Sequence, residues 1–175
     1  MEYVVMLCFD EHTESYFDDI TKEIADGGAS DYMADKKYPP HITIADFHTD
    51  DVGKIVNELD NNISGFAAGD VVWASLGAFV PRVLFASPVM NDYLLNACTN
   101  INRLLEPLVP HRGDGFYLPN QWVPHTTLAS DLDKESLIKA FGIATEKFFA
   151  VKGKCVRLML LQCRPYVEIK TWDLR

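Results

Sequence analysis

Two histidines, His41 and His125, each stand two residues before a threonine in matching hexapeptides. The first hexapeptide reads Pro-His-Ile-Thr-Ile-Ala and the second reads Pro-His-Thr-Thr-Leu-Ala. An imidazole titrates near neutral pH, so a neutral ring can accept a proton while a charged ring donates one. Two such rings facing one cleft suit in-line attack at a phosphate: one deprotonates the nucleophile, and the other protonates the leaving oxygen.

Each hexapeptide has the pattern of a strand that begins at its proline. Proline pushes the preceding residue toward extended conformations and is excluded from the interior of a central strand. Side chains alternate faces along a strand, so His41 shares a face with Thr43, and His125 shares one with Thr127. A threonine hydroxyl can donate a hydrogen bond to a phosphate oxygen as charge builds on it. The sequence therefore predicts two histidine–threonine pairs.

The alternative is that the repeat is an internal duplication retained only for packing. A single Pro-His-x-Thr is more often an ordinary strand start than a catalytic group. Here, however, the flanks of the two copies also match, with an aromatic residue just upstream (Tyr38, Trp122) and an acidic, helix-prone segment downstream. An imidazole at the mouth of a strand is also a poor choice for packing alone. These features favour catalysis.

The repeated pattern resembles the signature of the 2H phosphoesterases. This family includes the 2'-5' RNA ligase-like proteins and the 2',3'-cyclic nucleotide phosphodiesterases, and its signature is two copies of His-hydrophobic-Thr/Ser-hydrophobic. Residues 41–44 fit it fully, whereas the second copy departs by having Thr126 at a hydrophobic position. Because that position faces away from the histidine, the departure leaves the reactive face of the strand intact.

The resemblance implies a role for each matching residue. His41 and His125 would be the general base and the general acid, in an order that the motif does not reveal. Thr43 and Thr127 would hold the phosphate oxygens, and no cofactor would be needed. The chain offers neither a carboxylate cluster nor closely spaced histidines for a metal. The one metal alternative we consider is zinc on His41, His125 and a third ligand such as His111.

The remaining chain divides into strands and amphipathic helices. We expect strands over residues 3–9, 83–89, 152–162 and 166–172, and one or two strands over residues 63–79. We expect helices over residues 10–25, 49–61 (capped by Thr49), 91–105 and 134–147. This pattern predicts an α+β fold with internal duplication, as a single domain over residues 1–175. The family resemblance implies a bilobal domain with pseudo-two-fold symmetry, in which two antiparallel sheets flank a central cleft and helices pack outside.

A long stretch without clear periodicity, residues 106–123, leads into the second motif. Loops of this length in a compact domain are often functional. Its aromatic rings can stack on a base and its arginine can contact a phosphate, or its aromatic residues can simply pack against the protein. The candidate substrate-binding residues, with the aromatic before the first motif, are Tyr38, Arg112, Tyr117 and Trp122.

Charge and composition narrow the class of partner. A net charge of −9 disfavours long duplex nucleic acid, whose binding depends on neutralising many phosphates. A small nucleotide or a short oligonucleotide needs only a locally suitable pocket. No apolar run is long enough to span a bilayer, the N-terminus has no secretory pattern, and the cysteines lack Cys-x-x-Cys spacing. We therefore expect a cytoplasmic monomer that does not bind membranes.

Three functions fit these observations. The leading hypothesis is a metal-independent phosphodiesterase that opens 2',3'-cyclic phosphates on nucleotides or RNA ends. The second is a 2'-5' phosphodiesterase or a 2'-5' RNA ligase, of which joining is disfavoured by the acidic charge. The third is a nucleotide- or partner-binding module without turnover. Two proton-transfer groups favour the enzymes, since a binding module does not need them.

Overall fold

The computed structural model describes residues 1–35, 38–109 and 115–175. In this part of the chain, four α-helices pack against one antiparallel sheet of seven strands, which confirms the α+β class. A single 3-10 turn, Ile63–Gly65, follows the second helix, so the strand predicted from residue 63 begins only at Gly69. In chain order the elements are β1 (Glu2–Phe9), α1 (Glu11–Asp26), β2 (His41–His48), α2 (Val52–Asn62), β3 (Gly69–Phe79), β4 (Val83–Pro88), α3 (Asp92–Leu105), β5 (Thr126–Ala129), α4 (Lys134–Lys147), β6 (Val151–Cys163) and β7 (Val167–Asp173).

The strand order shows the internal duplication. It runs β2-β1-β6-β3-β4-β5, with β7 paired to β6 off this path. The order is symmetric about the β6–β3 pair, and the two motif strands occupy the two ends. Along the chain, β1-α1-β2-α2-β3 is followed by β4-α3-β5-α4-β6, which repeats the same element order. The last strand of each half thus pairs with strands of the other half: β3 lies beside β4, and β6 lies beside β1.

One expectation from the family resemblance is corrected: the strands form one continuous sheet rather than two separate ones. The cause is the length of β6. Its first residues pair with β3 from Val151 to Cys155, and its remainder pairs with β1 from Cys155 to Cys163. Since one strand carries both ladders, the hydrogen bonding is not interrupted between the two halves.

The two motif strands are neighbours although they lie at opposite ends of the strand order. β2 and β5 contact each other, so the sheet curves back on itself. Helix α3 of the second half packs against β2, and helix α1 of the first half packs against β5. Each motif strand is therefore supported by the helix of the other half.

The two faces of the sheet differ in what they pack against. On β1, Val5 and Leu7 belong to the main core under the helices, while Met6 and Cys8 belong to a small second cluster on the opposite face. His41 pairs in register with Cys8, and the next residue on its face pairs with Met6. The first motif therefore lies on the face away from the main core, as the two-residue period of a strand requires.

Side-chain caps fix where the helices begin. Asp10 caps α1 by accepting a hydrogen bond from the Thr13 N–H. The cap predicted at Thr49 is wrong: Asp51 caps α2 by accepting from the Lys54 N–H, and Thr49 instead accepts from the Asp51 N–H. No helix in the described ranges combines the length and the apolar character needed to cross a membrane.

Candidate active site

The two motif histidines are held by the same hydrogen bond. His41 Nδ1 lies 2.9 Å from the carbonyl oxygen of Pro39, and His125 Nδ1 lies 2.8 Å from the carbonyl oxygen of Val123. Each carbonyl belongs to the residue two positions before the histidine, across the motif proline. A carbonyl oxygen only accepts, so both Nδ1 atoms carry the proton. In both neutral rings Nε2 is the free base, and in a charged ring Nε2 is the acid.

In β2, Thr43 follows His41 on the same face of the strand. The second strand begins one residue later than predicted, at Thr126, so His125 lies just before β5, and its side chain lines the same pocket as that of Thr127. Thr43 is nearly buried, and Thr127 is half-buried beside His125 in the wall of a pocket. Each imidazole thus has a hydroxyl donor on its own side, and for His41 this follows from strand alternation. Each motif combines a proton-transfer group with a hydrogen-bond donor.

Both imidazoles favour the neutral form. Burial lowers the pKa of His41 to about 4, the hydrogen bond to Pro39 opposes this shift, and the charge of His125 lowers the pKa further. Burial also lowers the pKa of His125, against the opposing hydrogen bond to Val123. A positive charge on one ring disfavours a second positive charge on the other. A single anion bound between the rings would therefore favour the protonation of only one of them.

The lowered pKa of His41 should make the stability of the protein depend on pH. Its pKa lies below the unfolded value of 6.5, so the unfolded chain binds more protons, and the stabilisation present above pH 6.5 is lost as pH falls toward about 4. Part of the ring stays accessible, so we expect at most about 3 kcal/mol. As the pH falls from 6.5 to about 4, the unfolding free energy measured in urea should decrease more for wild type than for His41→Gln, by up to that amount. The control is His48→Gln, at the exposed end of β2; equal losses in wild type and His41→Gln would contradict the prediction.

The second histidine lies among aromatic rings. The centroid of its ring is 4.9 Å from that of Phe79, which meets it edge-on, and 5.3 Å from that of Phe85. Tyr117 lies 6.4 Å away, and burial raises the pKa of its hydroxyl to about 12, so it stays protonated. These rings hold the imidazole in place and exclude water from one side of it.

A pocket of about 680 Å³ opens beside His125 and Thr127. Most of its other walls come from two parts of the chain that are distant in sequence, the β3–β4 hairpin and the loop before β5, and one lining residue, Ser130, directly follows β5. The lining is mainly apolar. The residues that line it are Phe79, Val83, Phe116, Tyr117, Gln121, Val123, His125, Thr127 and Ser130.

The first histidine has tyrosines for neighbours instead. Tyr38 meets it edge-on at 5.5 Å between ring centroids, and the Tyr166 ring lies 5.1 Å beyond that of Tyr38. The Tyr166 hydroxyl lies 3.2 Å from that of Tyr32. The predicted position of Tyr38 beside the site is thus observed, whereas Tyr166, from the far end of the chain, had no signal in the sequence.

Trp122 has a different role from the one predicted for it. Its ring is buried in the main core, and its indole N–H donates a 3.0 Å hydrogen bond to the carbonyl of Thr43. Asn102 of α3 also contacts this strand, since its amide donates hydrogen bonds to the carbonyls of Ile44 and Tyr117. These groups satisfy the outer edge of β2 and connect it to the loop before β5. Trp122 therefore positions the first motif strand and is removed from the candidate substrate contacts.

The departure from the family signature at Thr126 also has a structural reason. The Thr126 side chain is fully buried, and its hydroxyl accepts a 3.0 Å hydrogen bond from the indole N–H of Trp73. The Trp73 ring fills the core between Phe9 and Phe17. A buried indole N–H needs an acceptor, and Thr126 provides one without changing the face of β5 that carries the reactive groups.

The remaining candidates lie elsewhere or cannot be placed. His12 and His48 are exposed. Arg112 and His111 fall outside the described residues, so neither the phosphate contact nor the zinc alternative is located. Within the described ranges, no three His, Cys, Asp or Glu side chains converge as a metal-binding group.

Comparison with known proteins supports the fold. TT0787 of Thermus thermophilus superposes with a TM-score of 0.63 at 14% identity, covering 100% of this chain and 98% of that one. LigT of E. coli, complexed with 3'-AMP, gives 0.58 at 14% identity, covering 99% and 97%. A structure described as a phosphoesterase gives 0.57 at 15% identity, covering 99% and 97%. No family model and no curated protein sequence matches. The chain shares the fold of these proteins over its whole length.

Proposed function

We propose that this chain is a 2H phosphoesterase that hydrolyses 2',3'-cyclic phosphates of nucleotides or RNA ends without a metal ion. The observation that carries the proposal is the repeated geometry of the histidines. Both Nδ1 atoms donate to the carbonyl two residues upstream, which leaves two Nε2 atoms for proton transfer. Strand β2 begins at one of these histidines and strand β5 directly follows the other, and the two strands contact each other, so both proton-transfer groups lie in one region of the protein.

The fold supports the same assignment. The chain carries the two His-x-Thr motifs on end strands of a duplicated sheet, in the fold of a phosphoesterase and of LigT. LigT has been solved in complex with 3'-AMP and with ATP. A small nucleotide also agrees with a net charge of −9, which disfavours long nucleic acid.

In the proposed reaction, the two histidines act on opposite sides of the phosphorus atom. One neutral Nε2 takes a proton from water as the water oxygen bonds to phosphorus. The other histidine, charged in the complex, gives its Nε2 proton to the ribose oxygen as the phosphorus–oxygen bond breaks. Thr43 and Thr127 donate hydrogen bonds to the non-bridging oxygens, where negative charge increases. The products are a ribose hydroxyl and a phosphate monoester.

Binding of the substrate also sets the protonation that this scheme needs. In the free protein both histidines have lowered pKa values, so both are neutral at pH 7. An anionic phosphodiester between the rings stabilises one imidazolium and leaves the other ring as the base. The resting site therefore gains its acid when the substrate anion arrives.

Hydrolysis of a panel of 2',3'-cyclic nucleotides and 2'-5'-linked dinucleotides in excess chelator tests the proposal. We expect turnover of the cyclic substrates that chelator does not reduce, since the reacting groups are all side chains. Loss of activity in chelator, with recovery on adding back a metal, would reject the metal-free mechanism. A folded protein that turns over nothing on the panel would favour the binding module.

A second candidate reaction, cleavage of 2'-5' linkages, is favoured by one observation. A linear dinucleotide has a base on each side of its phosphate, and aromatic rings flank both histidines. Phe79 lies beside His125, and Tyr38 and Tyr166 lie beside His41. The same substrate panel separates the two reactions, because a cyclic mononucleotide uses only one of these aromatic surfaces.

A further inference from the structure

We propose that Asn102 of α3 is a positioning residue of the active site, whose buried amide holds the two His-x-Thr motifs in their relative places. The proposal rests on the function above, because this positioning matters for the rate only if both motifs act on one phosphate. It goes beyond that function by making the chemical step depend on a helix residue outside the pocket beside His125.

The Asn102 side chain is buried, and carbonyl oxygens surround its amide nitrogen. The nitrogen lies 3.0 Å from the Ile44 oxygen, 3.0 Å from the Tyr117 oxygen and 2.8 Å from the Cys98 oxygen one turn earlier in α3. Three acceptors around this atom identify it as the nitrogen, and its hydrogens are shared among them. One side chain therefore connects a strand, a loop and the helix that carries it.

On β2, the amide binds the strand where its pairing with β1 is irregular. The register with β1 shifts after Thr43, and Ile44 has no partner there. A bulge of this kind leaves the extra residue unpaired and bends the strand. Because Ile44 directly follows Thr43, the donor that holds the Ile44 carbonyl also fixes the backbone beside the Thr43 hydroxyl.

The same amide holds the loop that leads into the second motif. The Tyr117 carbonyl directly precedes a turn that the Trp122 N–H closes with a 2.9 Å hydrogen bond. The next residue, Val123, supplies the carbonyl that holds the His125 ring. The backbone that orients the second imidazole is therefore connected through Asn102 to the strand of the first.

The relative position of the motifs should control the rate because both histidines must meet one phosphorus atom in the same step. Misplacing a reacting group by about 1 Å can lower a rate by about 10²-fold. Asn102 suits this link because its amide donates two hydrogens from one atom, whereas a leucine donates none and a protonated aspartate donates one.

The test compares Asn102→Leu, which keeps the approximate size of the side chain and removes its donors, with Thr126→Val, which also removes one partner of a buried hydrogen bond. We expect kcat of Asn102→Leu on the preferred substrate to fall about 10- to 100-fold, with a smaller rise in KM. Thr126→Val should keep its kcat at a comparable loss of stability. Asn96→Leu, at an exposed position of α3, should behave like wild type.

A second variant, Asn102→Asp, keeps the shape of the side chain. Its carboxyl group donates to one carbonyl when protonated and to none when ionised, so it cannot hold both β2 and the loop. We therefore expect kcat to fall in Asn102→Asp as well. Circular dichroism establishes that each variant is folded before its rate is measured.

Titration with inorganic phosphate, followed by NMR of the imidazole resonances, reports the arrangement of the motifs without turnover. In wild type, phosphate should shift the resonances of His41 and His125 along one binding curve. In both Asn102 variants the two curves should separate, whereas Thr126→Val should keep a single curve.

Wild-type kcat in either folded Asn102 variant would overturn the proposal, and so would an equal fall of kcat in Thr126→Val. A single phosphate-binding curve for both rings in the Asn102 variants would overturn it as well. Rings that already respond separately in wild type would reject both the positioning role and the proposed reaction. If wild type turns over no substrate, but its rings share a curve that the Asn102 variants separate, the positioning role is retained and only the proposed reaction is rejected.

Discussion

Alanine at either His41 or His125 should reduce turnover by about 10²- to 10⁴-fold, because each ring supplies one of the two proton transfers. The two losses should not add. Once one transfer is lost, the second ring has no concerted step to assist, so the double variant should be close to the worse single variant. Initial rates on the preferred substrate, measured for wild type, both single variants and the double variant, provide this comparison.

The chain contains suitable controls for this experiment. His12→Ala and His48→Ala remove exposed imidazoles outside the site and should leave the rate unchanged. Circular dichroism and thermal unfolding establish that each variant is folded. If either motif variant retains wild-type turnover while folded, the paired-histidine mechanism is rejected. Additive losses in the double variant would show that the two histidines act in separate steps.

The parts of this site that the sequence predicted are those that depend on local geometry. A strand places residues two apart on one face whatever the rest of the chain does, so the face shared by His41 and Thr43 followed from their spacing. The duplication was visible for a similar reason, because the motifs, the helices after them and the hairpins recur in the same order. Long-range packing was not needed for either prediction.

The parts that were missed depend on contacts between distant segments. An aromatic residue before each motif looked equivalent in the sequence, yet Tyr38 lies beside a histidine and Trp122 points into the core. The difference comes from long-range contacts, because Trp122 is buried in the main core and its indole N–H donates to the carbonyl of Thr43 on β2. The pocket likewise needs the β3–β4 hairpin and the loop before β5 to meet, and only tertiary packing brings Phe79 near Gln121. The single continuous sheet depends on the two partners of β6, β3 and β1, and the sequence predicted the length of this strand but not which strands it pairs with.

Two adjacent threonines, Thr126 and Thr127, should respond to the same substitution in opposite ways. Thr127 faces the pocket, so Thr127→Val should keep the fold and lower turnover about 10²-fold or more, the usual effect of removing one oxyanion donor. Thr126 faces the core, where its hydroxyl accepts from Trp73. Thr126→Val should therefore leave that buried N–H without an acceptor and lower the unfolding free energy by about 1–3 kcal/mol, with turnover kept.

The serine variants complete this test, because serine keeps the hydroxyl and removes only a methyl group. Thr127→Ser should restore most of the turnover that valine removes, and Thr126→Ser should keep the hydrogen bond from Trp73 and restore most of the stability. Urea unfolding and initial rates on all four variants separate the two effects. Comparable rate losses in both valine variants would mean that β5 does not present alternate faces to pocket and core. A stable Thr126→Val with an unchanged unfolding free energy would mean that Trp73 does not depend on this acceptor. A rate loss confined to Thr127→Val, with a stability loss confined to Thr126→Val, would show that these neighbouring residues have different roles. Thr127 would then bind phosphate, and Thr126 would stabilise the core.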